Sequence, residues 1–139
     1  MRNLIIKNEA DTERLGKEIA DLVEPGDVVA LIGDLGTGKT TLSRYIAKGL
    51  GVSEMITSPT FTIVSEYYTG RIPMYHFDVY RLQDSEDIFE TGLEEYFHMG
   101  GVCVIEWADM IAEILPNNTK CVFMEYGAKE GERIYRCTF

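Results

Sequence analysis

The sequence predicts an α/β protein, a three-layer sandwich around a mixed sheet with a mainly parallel centre and antiparallel hairpins. Three observations predict it. The apolar run Val28-Val29-Ala30-Leu31-Ile32 leads into a glycine-rich octet and then a helical stretch, the strand–loop–helix unit of a parallel sheet. A second run, Gly101-Val102-Cys103-Val104-Ile105-Glu106, has the composition of a strand buried on both faces. Two pairs of strand-like stretches are each joined by a short glycine-containing turn, the pattern of a hairpin. No linker, repeat or low-complexity segment divides the 139 residues, so a single domain over 1–139 is expected.

Taken in order, Leu4-Ile5-Ile6 reads as a short first strand. Asp11 or Thr12 is placed to cap a helix in which Leu15, Ile19, Leu22 and Val23 recur at i, i+4, i+7 and i+8. Pro25-Gly26-Asp27 ends that helix and launches the strand into the octet. The following helix is expected over about 39–50, stopped by Gly49 and Gly51. Residues 61–68 and 72–80 pair as a hairpin about Thr69-Gly70-Arg71. Asp84-Ser85-Glu86-Asp87 can cap a short helix, and Leu93-Glu94-Glu95-Tyr96-Phe97 suits one or two helical turns. A helix is expected over 108–115, closed by Pro116, before a last hairpin of 121–126 and 134–139.

With 45% hydrophobic and 26% charged residues the chain has an ordinary globular composition. No apolar run approaches the roughly 20 residues a bilayer span needs. The first residues are too short and soon too acidic for a signal peptide. Cys103, Cys121 and Cys137 each lie in an apolar stretch without a C-x-x-C pair. They suit buried free thiols in a reducing compartment, and a cytoplasmic location is expected. A net charge of −10 with scattered Lys and Arg weighs against direct grip on nucleic acid and favours a basic protein partner.

The octet Gly33-Asp34-Leu35-Gly36-Thr37-Gly38-Lys39-Thr40 has the G-x-x-x-x-G-K-[ST] spacing of a phosphate-binding loop. Its glycines turn tightly and leave backbone amides open to negative charge, together with the N-terminus of the next helix. Asp34, Leu35, Gly36, Thr37, Gly38, Lys39, Thr40 and Thr41 are therefore the expected nucleotide-binding residues. Lys39 can reach the terminal phosphates, and the Thr40 hydroxyl can ligate magnesium. Such a site also needs an acid at a neighbouring strand end, and Glu106 and Asp78 both qualify. Either can orient a water as general base. Thr60, in Ser58-Pro59-Thr60, is placed to sense the terminal phosphate, although an ordinary turn has the same composition. Trp107 can stack on a base or face a partner, while core filling is the commoner role. His76 reads as a hydrogen-bonded core histidine, and Arg81 and Arg133 as surface arginines able to lend charge.

Four segments occur in order: Gly-Asp-Leu-Gly-Thr-Gly-Lys-Thr-Thr (33–41), Ser-Pro-Thr-Phe-Thr (58–62), His-Phe-Asp-Val-Tyr-Arg (76–81) and Ile-Glu-Trp (105–107). Together they resemble the bacterial TsaE (YjeE) family of small ATPases over nearly the whole chain. The resemblance implies a P-loop NTPase-like sandwich, ATP and Mg2+ as ligands, and slow, partner-stimulated hydrolysis. It implies TsaD and TsaB, which form the threonylcarbamoyl-transfer complex for tRNA, as partners, with tRNA itself engaged indirectly. By position it implies Lys39 on phosphates, Thr40 and Glu106 on magnesium, and Asp78 and Thr60 in hydrolysis and switching. It also places Thr12 and Arg133 near the base. A small-molecule kinase shares the loop but usually carries a substrate insertion and an arginine-rich lid, where this chain has a hairpin and short helices.

Overall fold

The computed structural model describes residues 1–57, 64–80 and 92–139. Ser58-Pro59-Thr60, Arg81 and the expected cap at 84–87 lie outside them. The elements run β1 (Arg2–Ile6), α1 (Glu9–Leu22), β2 (Val28–Gly33), α2 (Lys39–Leu50), β3 (Val64–Tyr67), β4 (Met74–Asp78) and α3 (Leu93–Tyr96). They continue with β5 (Val102–Glu106), a 3-10 helix (Ala108–Ile114), β6 (Lys120–Tyr126) and β7 (Arg133–Cys137).

One seven-stranded sheet has the order β1-β7-β6-β2-β5-β4-β3. Its centre is parallel, through the pairs β6–β2, β2–β5 and β5–β4. Antiparallel pairs flank it on both sides, β3–β4 at one edge and β6–β7–β1 at the other. This is the mixed α/β sandwich that the sequence predicts.

Side-chain alternation splits the core between the two faces of the sheet. Val29, Leu31, Val102 and Val104 face one layer, where Leu15, Ile19, Leu42 and Ile46 bring α1 and α2 against the sheet. Val28, Ala30, Cys103 and Ile105 face the other, which is covered by Leu93 of α3 and by Ala108 and Ile111. Burial on both faces explains why β2 and β5 read as uninterrupted apolar runs.

Three local details differ from expectation. Asn8, rather than Asp11 or Thr12, caps α1: its backbone is extended (φ −160°, ψ 175°) and its side chain accepts from Asp11 N at 3.0 Å. The helix thus starts one turn earlier, Asp11 sits in its first turn where a negative charge is favourable, and Thr12 is buried inside it. The expected helix at 108–115 is a 3-10 helix with a break at Ile111 (φ −127°). Its apolar residues Ala108, Ile111 and Ile114 are spaced by three, which aligns them on one side of a threefold helix. Gly49 does not stop α2 but lies within it; Gly51 (φ 86°) ends it with its N–H bonded to Ala47 and Lys48 carbonyls.

The α1–α2 contact is close at Gly16, where a Cβ would stand 2.5 Å from the Cβ of Tyr45. Arg71, on the β3–β4 turn, donates to the carbonyls of Ala20 and Val23 and supplies the cation that the last turn of α1 lacks. Among the described residues no helix is long and apolar enough to cross a membrane.

Candidate nucleotide-binding site

Parallel pairing brings the carboxyl ends of β2, β5 and β4 to one edge of the sheet, where Gly33, Glu106 and Asp78 sit. Asp78 is the direct register partner of Glu106. Ligand sites of parallel α/β sheets form at such edges. Period-two alternation settles the direction of the side chains. Val102 and Val104 face α2, and so does Glu106; Met74 faces α2, and so do His76 and Asp78.

Glu106 is only 2% exposed, so it is no solvated strand end. Its Oε1 accepts from the Thr40 hydroxyl at 2.8 Å, and its Oε2 lies 2.5 Å from His76 Nε2, in hydrogen-bond contact. Ser43 Oγ, which donates to the Lys39 carbonyl at 2.9 Å, lies 3.4 Å from the same Oε2. A buried carboxylate is stable only with such donors around it.

Lys39 is folded back on its own loop. Its Nζ donates to the carbonyls of Gly33 at 2.6 Å and Asp34 at 2.7 Å, and stands 3.9 Å from the centre of the Trp107 ring. Burial lowers the pKa of this ammonium, and the nearby Glu106 carboxylate pulls it back up. Trp107 is set over the loop by a left-handed backbone (φ 61°), the one such non-glycine residue among those described. Tyr80 flanks its ring at 4.7 Å. A non-glycine residue held there costs on the order of 1–3 kcal/mol, which marks a position fixed by its surroundings.

The curve of the loop depends on two tyrosines from the far end of the chain. Tyr135 donates to the Thr37 carbonyl at 2.6 Å from a buried position, and Tyr126 donates to the Leu35 carbonyl. Gly38 (φ 104°) has no room for a side chain: a Cβ would meet the Tyr135 hydroxyl at 2.5 Å.

The result is a cleft of about 330 Å³, lined among the described residues by Leu35, Gly36, Gly38, Lys39, Thr40, Thr41, Asp78, Glu106, Trp107 and Arg133. Of the expected nucleotide residues, Asp34 and Thr37 shape the loop through its carbonyl and hydroxyl rather than forming the wall. Arg133 reaches the cleft beside Gly38. Thr12 is buried in α1, away from the lining, and Thr60 lies outside the described residues. Trp107 joins the wall while also packing, partly buried, against the core.

The model of the threonylcarbamoyl adenosine biosynthesis protein TsaE matches residues 6–135. The chain belongs to the TsaE family. Among its relatives, the tRNA threonylcarbamoyladenosine biosynthesis protein TsaE of Bacillus subtilis is 52% identical over 78% of this chain and 68% of its own length. The protein of the same name from Treponema pallidum is 46% identical over 83% of this chain and 84% of its own. The crystal structure of Bacillus subtilis YdiB superposes with a TM-score of 0.79 at 41% identity, covering 96% of this chain and 82% of that one.

Within the family frame, sequence reasoning missed three contributors to the site: Ser43, Tyr126 and Tyr135. It also left His76 unconnected to Glu106. For His76 a signal existed, since alternation along 74–78 puts it on the face of Asp78. For the tyrosines there was none, because their partners lie 91 and 98 residues away.

Proposed function

We propose that the chain is a Mg2+-dependent ATPase of low intrinsic rate that supports tRNA N6-threonylcarbamoyladenosine formation by acting on the TsaB–TsaD complex. The observation that carries this reading is the convergence of Lys39, Thr40, Glu106 and Asp78 on one cleft at the parallel edge. Thr40 and Glu106 would hold the ion. They present hard oxygen donors 2.8 Å apart beside the phosphate cradle, the ligand chemistry Mg2+ prefers. When bound, the ion neutralises charge across the terminal phosphate oxygens.

The residues divide the remaining work. The loop amides and the N-terminus of α2 receive phosphate, and Lys39 exchanges the Gly33 and Asp34 carbonyls for phosphate oxygens. Both oxygens of Glu106 are engaged, which suits a fixed ligand. Asp78 is partly exposed on the cleft wall, its Oδ1 accepting from Tyr80 N at 3.1 Å, so it is the carboxylate placed to orient water. Trp107 and Arg133 border the space left for the nucleoside. The acidic surface, −10 overall, favours a protein partner over direct contact with tRNA. A cytoplasmic location follows from that pathway.

The test is ATP turnover with and without TsaB–TsaD and tRNA. Mg2+-dependent hydrolysis that rises with the pair and is lost in Lys39→Ala is expected. Absence of hydrolysis even with the pair present overturns the enzyme reading. Trp107 is the sole tryptophan, so its fluorescence should change as nucleotide draws Lys39 off its ring.

A further inference from the structure

We propose that His76 is a positioning residue for the Glu106 carboxylate, holding Oε2 so that Oε1 alone is presented to Thr40 and the cleft. The inference rests on the magnesium-nucleotide reading above and adds to it a residue that touches neither ligand. His76 is fully buried in β4 and is absent from the cleft wall among the described residues. It sits opposite Val104 in the register, two residues back from the Asp78–Glu106 pair on the same face, and reaches diagonally across the strands. Nε2 is 2.5 Å from Oε2, close enough for a direct hydrogen bond to the carboxylate.

Packing alone does not account for an imidazole here. Its Nδ1 is buried and has no hydrogen-bond partner among the described residues. Leaving such an atom without a partner costs free energy that a phenyl ring of similar size would not incur. Among the described residues the polar ring makes one hydrogen bond, and that bond ends on Glu106. A carboxylate can only accept, so in a bond to ionised Glu106 the Nε2 atom is the donor. Without this anchor, the carboxylate can turn about its last torsion, with Thr40 and a longer approach from Ser43 as its remaining side-chain hydrogen-bond neighbours among the described residues. Hydrogen bonds behind a metal ligand typically change metal affinity by about 10–100-fold.

The test compares His76→Phe, His76→Asn and His76→Gln. Phenylalanine keeps the ring and removes the donor. The amide nitrogen of glutamine falls near the position of Nε2, whereas that of asparagine falls near Nδ1. Two quantities are measured: Mn2+ affinity of the ADP complex, from the electron paramagnetic resonance of free Mn2+ with protein in excess, and ADP affinity in EDTA. The Phe and Asn variants should weaken Mn2+ binding about 10–100-fold, with EDTA affinity held within about twofold and Gln restoring Mn2+ binding to within about threefold of wild type.

Wild-type Mn2+ affinity in the Phe variant, or a Gln variant no better than Asn, overturns the role. Equal losses of metal-free ADP affinity in all three overturn it too, because they indicate packing damage. If the wild type itself takes up neither ADP nor Mn2+, the nucleotide reading fails. If it binds both and the variants match it, only the role of His76 fails. Should the variants not fold, nitrogen-15 spectra of the wild-type ring decide: a protected Nε2-bound proton is expected, and a proton on Nδ1 with none on Nε2 overturns the assignment.

Discussion

At Glu106 a single carboxylate meets opposing requirements. On the proposed reading it must be buried to stay fixed and charged to hold a cation, and the Thr40 and His76 contacts would reconcile the two. Asp78, its register partner, lies at the cleft with more water and only a backbone donor among its described contacts. Their environments predict separable phenotypes. Asp78→Asn should lower kcat by about 100-fold or more while leaving Mg·ATP affinity within about threefold. Glu106→Gln should instead raise the Mg2+ concentration needed for half-maximal binding; a metal titration of each variant distinguishes the two.

Cys103 gives a residue-scale prediction about stability. Burial raises its thiol pKa from an ordinary 9 to about 12. The unfolded thiol ionises first, so the stability linked to this group is intact below pH 9 and lost as pH rises toward 12. Urea midpoints should fall between pH 9 and 11 more steeply in the wild type than in Cys103→Ala.

Among the elements, the helices were legible because a 3.6-residue period is written locally, and the limits of α2 agree with the reading of about 39–50. The caps were less so. Asn8, Asp11 and Thr12 are all capping types, and the choice fell to the extended backbone of Asn8, which composition does not encode. Close approach of α1 to α2 was also invisible, since it depends on what faces Gly16 across the interface. Gly16→Ala gains about 1 kcal/mol in helix propensity but drives a methyl group into Tyr45, at a cost of about 1–3 kcal/mol. Net destabilisation, read as a lower urea midpoint, is expected. Tyr135→Phe should cost about 1 kcal/mol or more, because the Thr37 carbonyl loses its buried donor, and should weaken nucleotide binding several-fold in calorimetry.

Across the whole molecule, the alternation of strand and helix signals gave the class of fold but not the order of strands. That order requires β6 to pair beside β2 and β7 to return between β6 and β1, contacts that span most of the chain. The site was legible in the same proportion. Lys39 and Thr40 are adjacent in sequence and carry a motif; Glu106 and Asp78 were visible as acids ending strand-like runs and through the family resemblance of 76–81 and 105–107. The bond between His76 and Glu106 crosses 30 residues and needed the register to appear. Charge is the other property of the whole. At −10, association with a basic partner surface should be salt-sensitive, and raising ionic strength from about 50 to about 300 mM should weaken partner-stimulated turnover several-fold.

The two tyrosine hydroxyls on the phosphate loop also bear on the timing of synthesis. The loop is translated early, yet the donors that hold the Leu35 and Thr37 carbonyls follow 91 and 98 residues later. A nascent chain whose residues beyond 126 are still inside the ribosome has the complete motif and lacks the completed cradle. On the proposed reading, tight nucleotide capture would wait until β7 has emerged and folded. A fragment ending before β7 would be expected to keep the signature in its sequence while losing tight binding.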